Sequence, residues 1–256
     1  MLERAVACKL YKGWKSWMKP PDVRLFIPQK ALDLIYLGYR LTMRSMVMKN
    51  ILVIYEEYGI PENLQMHMLR VTACSKRIVD NWRGKKLNIQ SLYRVLLLHD
   101  MGNIVKIPKE EFSDPTFQSI RKKYFDLYGK NDHEVSLTIA KELGLSEYEL
   151  KLMNDKIFIN NDNIMEEDSF ETKIGAYCDQ RVAPDGVMSL LGRLNEAKAR
   201  YKDKPGSSMN NPKTDRLIYC AGIIEKQIMK YCDIKPEDIT DTTISKDIEY
   251  FKGYEI

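Results

Sequence analysis

No segment of this chain alternates apolar and polar residues between hairpin turns, whereas apolar residues recur three and four positions apart along most of it. A chain of this kind builds its core between helix stripes, so the pattern predicts an all-α fold. Residues 28–58 carry Leu32, Ile35, Leu41, Met46, Met48, Ile51 and Ile54 at helical spacing, and Pro28 suits a first helical position. Tyr58-Gly59-Ile60-Pro61 stops that helix and starts the next, expected over about 61–82. A short, strongly apolar helix follows from Asn88 into His99-Asp100. Asp132 is the expected N-cap of a helix over 133–143, and Ser146 with Glu149 has capping-box spacing ahead of 147–153. Residues 154–168 are polar and acidic and read as a loop. Further helices are expected from about Phe170 through Asp179, over 188–202 and over 214–232, with a turn at Pro184-Asp185-Gly186. Residues 233–241 read as a loop and the remainder as a tail carrying Ile248, Tyr250 and Tyr254.

The 256 residues suffice for one domain with a full core, or for one domain plus an appendage. A net charge of +4 is too small to indicate nucleic-acid binding, but it is unevenly spread. Residues 1–50 hold ten Lys or Arg against three Asp or Glu, so the rest of the chain is slightly acidic. Within 1–27, Tyr11, Trp14, Trp17 and Phe26 are interleaved with Lys9, Lys12, Lys15, Lys19 and Arg24. Such an arm can touch phosphate or nucleic acid. The simpler reading is an amphipathic helix packing its aromatics on the main body with its lysines in water. The run Arg121-Lys122-Lys123 is read as a solvated face. Five widely spaced cysteines with no Cys-x-x-Cys suggest reduced thiols in a cytoplasmic protein. No stretch has the length and apolarity of a membrane span, and the first residues lack a signal-peptide layout.

The run Leu96-Leu97-Leu98-His99-Asp100-Met101-Gly102 ends a buried helix in an imidazole, a carboxylate and a glycine. Neighbouring side chains on a helix point about 100° apart, so the pair converges only where the backbone turns, and Gly102 is expected to supply that freedom. Two readings fit, a capping polar pair or a divalent-metal site. The chain has three histidines, His67, His99 and His133, each in helical context beside apolar residues. Buried imidazoles need partners, and one shared ion satisfies several at once. Two imidazoles with two carboxylates suit Mn²⁺, Fe²⁺, Co²⁺, Ni²⁺ or Zn²⁺ better than Ca²⁺.

The order His67, then His99-Asp100, then Asp179 on a late helix resembles the HD-domain superfamily of metal-dependent phosphohydrolases. The resemblance runs through His67-Met68-Leu69-Arg70-Val71, Leu97-Leu98-His99-Asp100-Met101-Gly102, the helix of Asp132-His133-Glu134, and Ile174-Gly175-Ala176-Tyr177-Cys178-Asp179-Gln180-Arg181-Val182. It implies an HD-domain helical bundle over residues 46–203. Residues 103–131 form an insertion broken by Pro108, Asp114-Pro115 and Gly129. Residues 1–45 and 204–256 become helical N- and C-terminal extensions, the second entered through the linker-like 204–208.

Carried over by position, the resemblance makes His67, His99, Asp100 and Asp179 the ligands of one divalent ion. Asp100 would also handle the attacking water. His133 would lie just outside, as a substrate-binding group, a proton donor or a ligand of a second ion. Arg70, one helical turn after His67, suits a phosphate clamp or a structural salt bridge. Lys106 and Arg181 are further candidates for substrate phosphate, Arg181 having Asp185 as an alternative partner. Two-metal members carry another histidine where this chain reads Met153-Asn154-Asp155-Lys156. Asp155 could substitute, since carboxylates can bridge hard metals, but a plain loop aspartate is the simpler reading, so a single ion is expected. The implied function is hydrolysis of a phosphomonoester or phosphodiester on a phosphorylated small molecule, with a nucleotide the expected class and nucleic acid less favoured. The alternative is a catalytically silent HD module that binds nucleotide or nucleic acid as a regulator.

Overall fold

The computed structural model describes residues 48–107, 115–201, 209 and 212–256. Residues 1–45, the linker-like 204–208 and the Pro108 region of the insertion lie outside them. The described chain is all-α. Its helices are α1 (Ile51–Glu57), α2 (Glu62–Val79), α3 (Ile89–Leu98), α4 (Pro115–Tyr128), α5 (Asp132–Glu142) and α6 (Glu147–Asp155). They continue with α7 (Asn161–Glu166), α8 (Phe170–Asp179), α9 (Leu190–Tyr201), α10 (Thr214–Met229) and α11 (Asp241–Lys252). A two-stranded hairpin, β1 (Val182–Ala183) and β2 (Gly186–Val187), pairs Val182 with Val187 and Ala183 with Gly186 around the expected Pro184-Asp185 turn. Among the described residues no helix is long and apolar enough to cross a membrane.

The architecture is built around α3. Ser91, Leu92, Tyr93 and Val95 through Leu98 are all buried, so this helix is apolar nearly all round and must be enclosed on every side. Helices α2, α6 and α8 pack against it, and α2 also packs on α8. Helix α8 contributes a buried run from Thr172 to Cys178, and α2 a stripe that includes Met68, Val71, Ser75 and Ile78. The mutual packing of α2, α3 and α8 brings His67, the end of α3 and Asp179 to one place. Burial of side chains as large as these contributes roughly 1.5–3 kcal/mol each, which is what holds polar groups in a shared, partly dry site.

Several boundaries differ from expectation for identifiable reasons. The helix expected over 28–58 does not run unbroken. Residues 48–50 are non-helical, Asn50 caps α1 by accepting from Leu52 N, and Lys49 and Ile256 exchange backbone hydrogen bonds at 3.0 and 2.9 Å. The N-cap of α5 is Asn131, whose side chain accepts from the N–H groups of His133 and Glu134, and Asp132 is already helical. Residues 154–168 are not a loop. The end of α6, a 3₁₀ turn at Phe158–Asn160 and α7 fill most of the stretch, with Asn161 buried and bonded to Gln180 and the Leu217 carbonyl. The C-terminal tail is likewise helical. Helix α11 buries Ile244 and Phe251, lies along α2, and sets Phe251 edge-on to Tyr93 of α3 with ring centres 4.9 Å apart. The expected capping box at Ser146 and Glu149 is present at the start of α6.

Candidate metal centre

Helix α3 ends at Leu98, His99 keeps helical dihedrals (φ −61°, ψ −28°), and Asp100 leaves them at φ −114°, ψ 14° before a 3₁₀ turn over Met101–Val105. That change of direction at Asp100 lets adjacent side chains converge. Gly102 contributes differently from expectation. A Cβ there would lie 2.1 Å from the Asp132 carbonyl oxygen and 2.6 Å from Ser136 N, so glycine is required by the close approach of α5. The Gly102 N–H donates to Ser136 Oγ at 2.9 Å. The last carbonyls of α3 are orphans of the helix, and side chains of the site region take two of them. The buried Tyr55 hydroxyl donates to Leu97 O, and His99 Nδ1 lies 2.7 Å from Leu96 O.

The four side chains meet. His67, His99, Asp100 and Asp179 each offer one donor atom, all within 4.8 Å of one another. His67 Nε2 lies 3.3 Å from Asp179 Oδ1 and 3.4 Å from Asp100 Oδ2. His99 Nε2 lies 3.3 Å from the same Asp179 Oδ1 and 3.6 Å from Asp100 Oδ1, and the two imidazole centres are 5.5 Å apart. His99 is buried, and its Nε2 makes no hydrogen bond to any described group despite the near carboxylates. With the Nδ1 proton given to Leu96 O, Nε2 of a neutral ring carries a lone pair. That lone pair and the carboxylate oxygens face a common point, an arrangement that favours a shared cation. Two nitrogens and two oxygens brought together in this way could hold a metal ion.

Lys156, directly after α6, completes the surroundings. It is buried, and its Nζ lies 2.7 Å from Asp179 Oδ2, the oxygen turned away from the imidazoles. Burial would raise the Asp179 carboxyl, but the charges around it, the Lys156 ammonium foremost, outweigh burial and hold the group well below the usual carboxylate range. Sequence reasoning missed Lys156. A lysine just past a helix end is an ordinary cation at the negative pole of the helix dipole, and nothing local marks it as buried.

The remaining predicted residues have bonding partners outside the four-residue cluster. His133 Nε2 pairs with Asn154 Oδ1 at 3.1 Å, and Asp155, expected in a loop, is instead the last residue of α6 and pairs with Lys151 one turn earlier. Lys106 forms an exposed ion pair with Asp132. Arg70 shares the α2 face of His67, but its guanidinium donates to Pro184 O at 3.2 Å and lies 3.6 Å from Asp241 Oδ1, which makes it a tie between α2, the hairpin and α11. Arg181 is a correction. Its guanidinium is buried and donates to the carbonyls of Met188, Pro236 and Ile239 and to the Tyr177 hydroxyl. It does not pair with Asp185, and its donors are committed to the fold and not to a substrate. Cys74, Cys178, Cys220 and Cys232 are free thiols.

Fold and site together define an all-α protein with a His₂Asp₂ cluster able to hold a metal ion. Compared with protein-family models, with curated proteins and with solved structures, the chain matches none of them.

Proposed function

We propose that this protein is a metal-dependent phosphohydrolase of the HD type, acting on a phosphomonoester or phosphodiester of a small molecule, with a nucleotide the favoured substrate class. The observation that carries the reading is the buried, unpartnered Nε2 of His99, aimed with His67, Asp100 and Asp179 at one point. A divalent ion bound there supplies Lewis acidity toward a phosphoryl oxygen and makes water acidic enough to attack near neutral pH. Asp100 sits at the edge of the cluster with one oxygen toward each imidazole. It is therefore placed to ligate and to accept the proton of the attacking water, with in-line displacement and no covalent enzyme intermediate. Lys156 keeps Asp179 ionised as a ligand. Lys106 stays a candidate phosphate-binding cation, because its exposed ion pair with Asp132 contributes at most about 1 kcal/mol and can exchange for a substrate phosphate.

The test is a screen of nucleoside monophosphates and generic mono- and diesters with Mn²⁺, Co²⁺ and Ni²⁺. Metal-dependent turnover that falls by at least about a thousandfold in Asp100→Ala supports the reading. A folded protein with no turnover under any of these ions overturns it.

A further inference from the structure

Lys156 is an unusual neighbour for a cation site, because it brings a fixed positive charge against one of the ligands. Asp179 divides its two oxygens. Oδ1 lies 3.3 Å from both imidazoles, and Oδ2 lies 2.7 Å from the Lys156 ammonium. The lysine side chain is 3% exposed, and its stem lies against the α8 backbone, where a Cβ on Gly175 would come 3.5 Å from Lys156 Cδ. The ammonium is thus held in place by packing on α8 as well as by its charge.

Two consequences follow for a divalent ion in the cluster. An Asp179 whose Oδ2 is occupied by an ammonium offers one oxygen. It cannot chelate through both, nor bridge to a second ion as carboxylates do in two-metal centres. The fixed charge also repels any cation drawn to Oδ1, and in a partly buried site that repulsion is weakly screened. We infer that Lys156 is a positioning residue that acts as a built-in monovalent cation on Asp179, restricting the centre to one divalent ion and holding that ion less tightly than the four ligands alone would. This rests on the metal-centre reading above and assigns the site a single, exchangeable ion.

The experiment is Mn²⁺ titration by calorimetry at pH 8, with Mn²⁺ electron paramagnetic resonance, on the full chain and on Lys156→Met and Lys156→Arg. Melting temperatures check that each variant is folded. The wild type should take up one Mn²⁺ per chain, with the spectrum of an isolated ion. Lys156→Met, which keeps the stem and removes the charge, should bind Mn²⁺ at least tenfold more tightly, and Lys156→Arg should keep wild-type affinity. A lysine that only supports the fold would give the opposite sign, because loosening the cluster weakens binding. Two ions per wild-type chain, or equal or weaker binding in Lys156→Met, would overturn the lysine's role and leave the metal centre standing. No Mn²⁺ uptake by folded wild type would overturn both. Should Lys156→Met not fold, Lys156→Gln is read by the same criterion.

Discussion

The Nδ1 of His99 lies 2.7 Å from the carbonyl oxygen of Leu96, three residues earlier on the same helix. One hydrogen bond thereby covers a carbonyl that α3 would leave unpaired at its end and fixes which ring nitrogen faces the cluster. In chelator-treated protein, histidine ¹⁵N NMR should find His99 as the Nδ1–H tautomer near neutral pH. Adding Zn²⁺ should shift Nε2 and leave Nδ1 protonated. A His99 protonated on Nε2 alone would contradict this geometry.

Gly102 tests the packing beneath the site. A methyl group there meets backbone atoms of Asp132 and Ser136, which cannot swing away as a side chain can. Gly102→Ala should cost about 3 kcal/mol in urea unfolding and weaken metal binding, because relief requires moving the turn that carries Asp100. Gly222, whose added Cβ would meet nothing within 4 Å, provides the control, and Gly222→Ala in the middle of α10 should be neutral or slightly stabilising.

Substitution of Arg181 separates a role in the fold from a role at the site. Its planar fork serves the carbonyl of Met188, just after β2, and those of Pro236 and Ile239 before α11. Arg181→Lys cannot reproduce those bonds and should lose about 3 kcal/mol of stability. A substrate-binding arginine would instead show a raised KM with an unchanged melting temperature.

Asp179 sets a pH dependence. Its folded-state carboxyl lies below the ordinary value because the charges around it, the Lys156 ammonium foremost, outweigh its burial. The stability it contributes is therefore present above the unfolded carboxylate value of about 4 and is lost as pH falls through the lower folded value. In metal-free protein, wild type should be more stable than Asp179→Asn at pH 5–7, and the gap should close as pH drops below about 4. Urea titrations across that range measure it.

The parts of this account that were legible in the sequence are local ones. The stop signal at Tyr58-Gly59-Ile60-Pro61, the apolar run into His99-Asp100 and the capping box at Ser146 each depend on residues within a few positions, and each has its counterpart in the structure. The clustering of His67, His99, Asp100 and Asp179 was expected from a family resemblance, and the geometry brings the four together. Features set by partners far along the chain were not legible. Arg181 looked like a site cation because its carbonyl acceptors on Pro236 and Ile239 lie more than fifty residues away. Helix α11 was read as a tail because its buried positions, Ile244 and Phe251, are sparse in a polar segment and gain their meaning only against α2. Lys156 was invisible because its burial is decided by α8.

Four side chains from α2, the end of α3 and α8 are proposed to hold one divalent ion. Anomalous diffraction from crystals grown with Mn²⁺ tests this most directly. One strong peak per chain is expected, at coordination distance from His67 Nε2, His99 Nε2, an Asp100 oxygen and Asp179 Oδ1. A cluster without a peak in a crystal saturated with Mn²⁺, or a peak held by other residues, would contradict it.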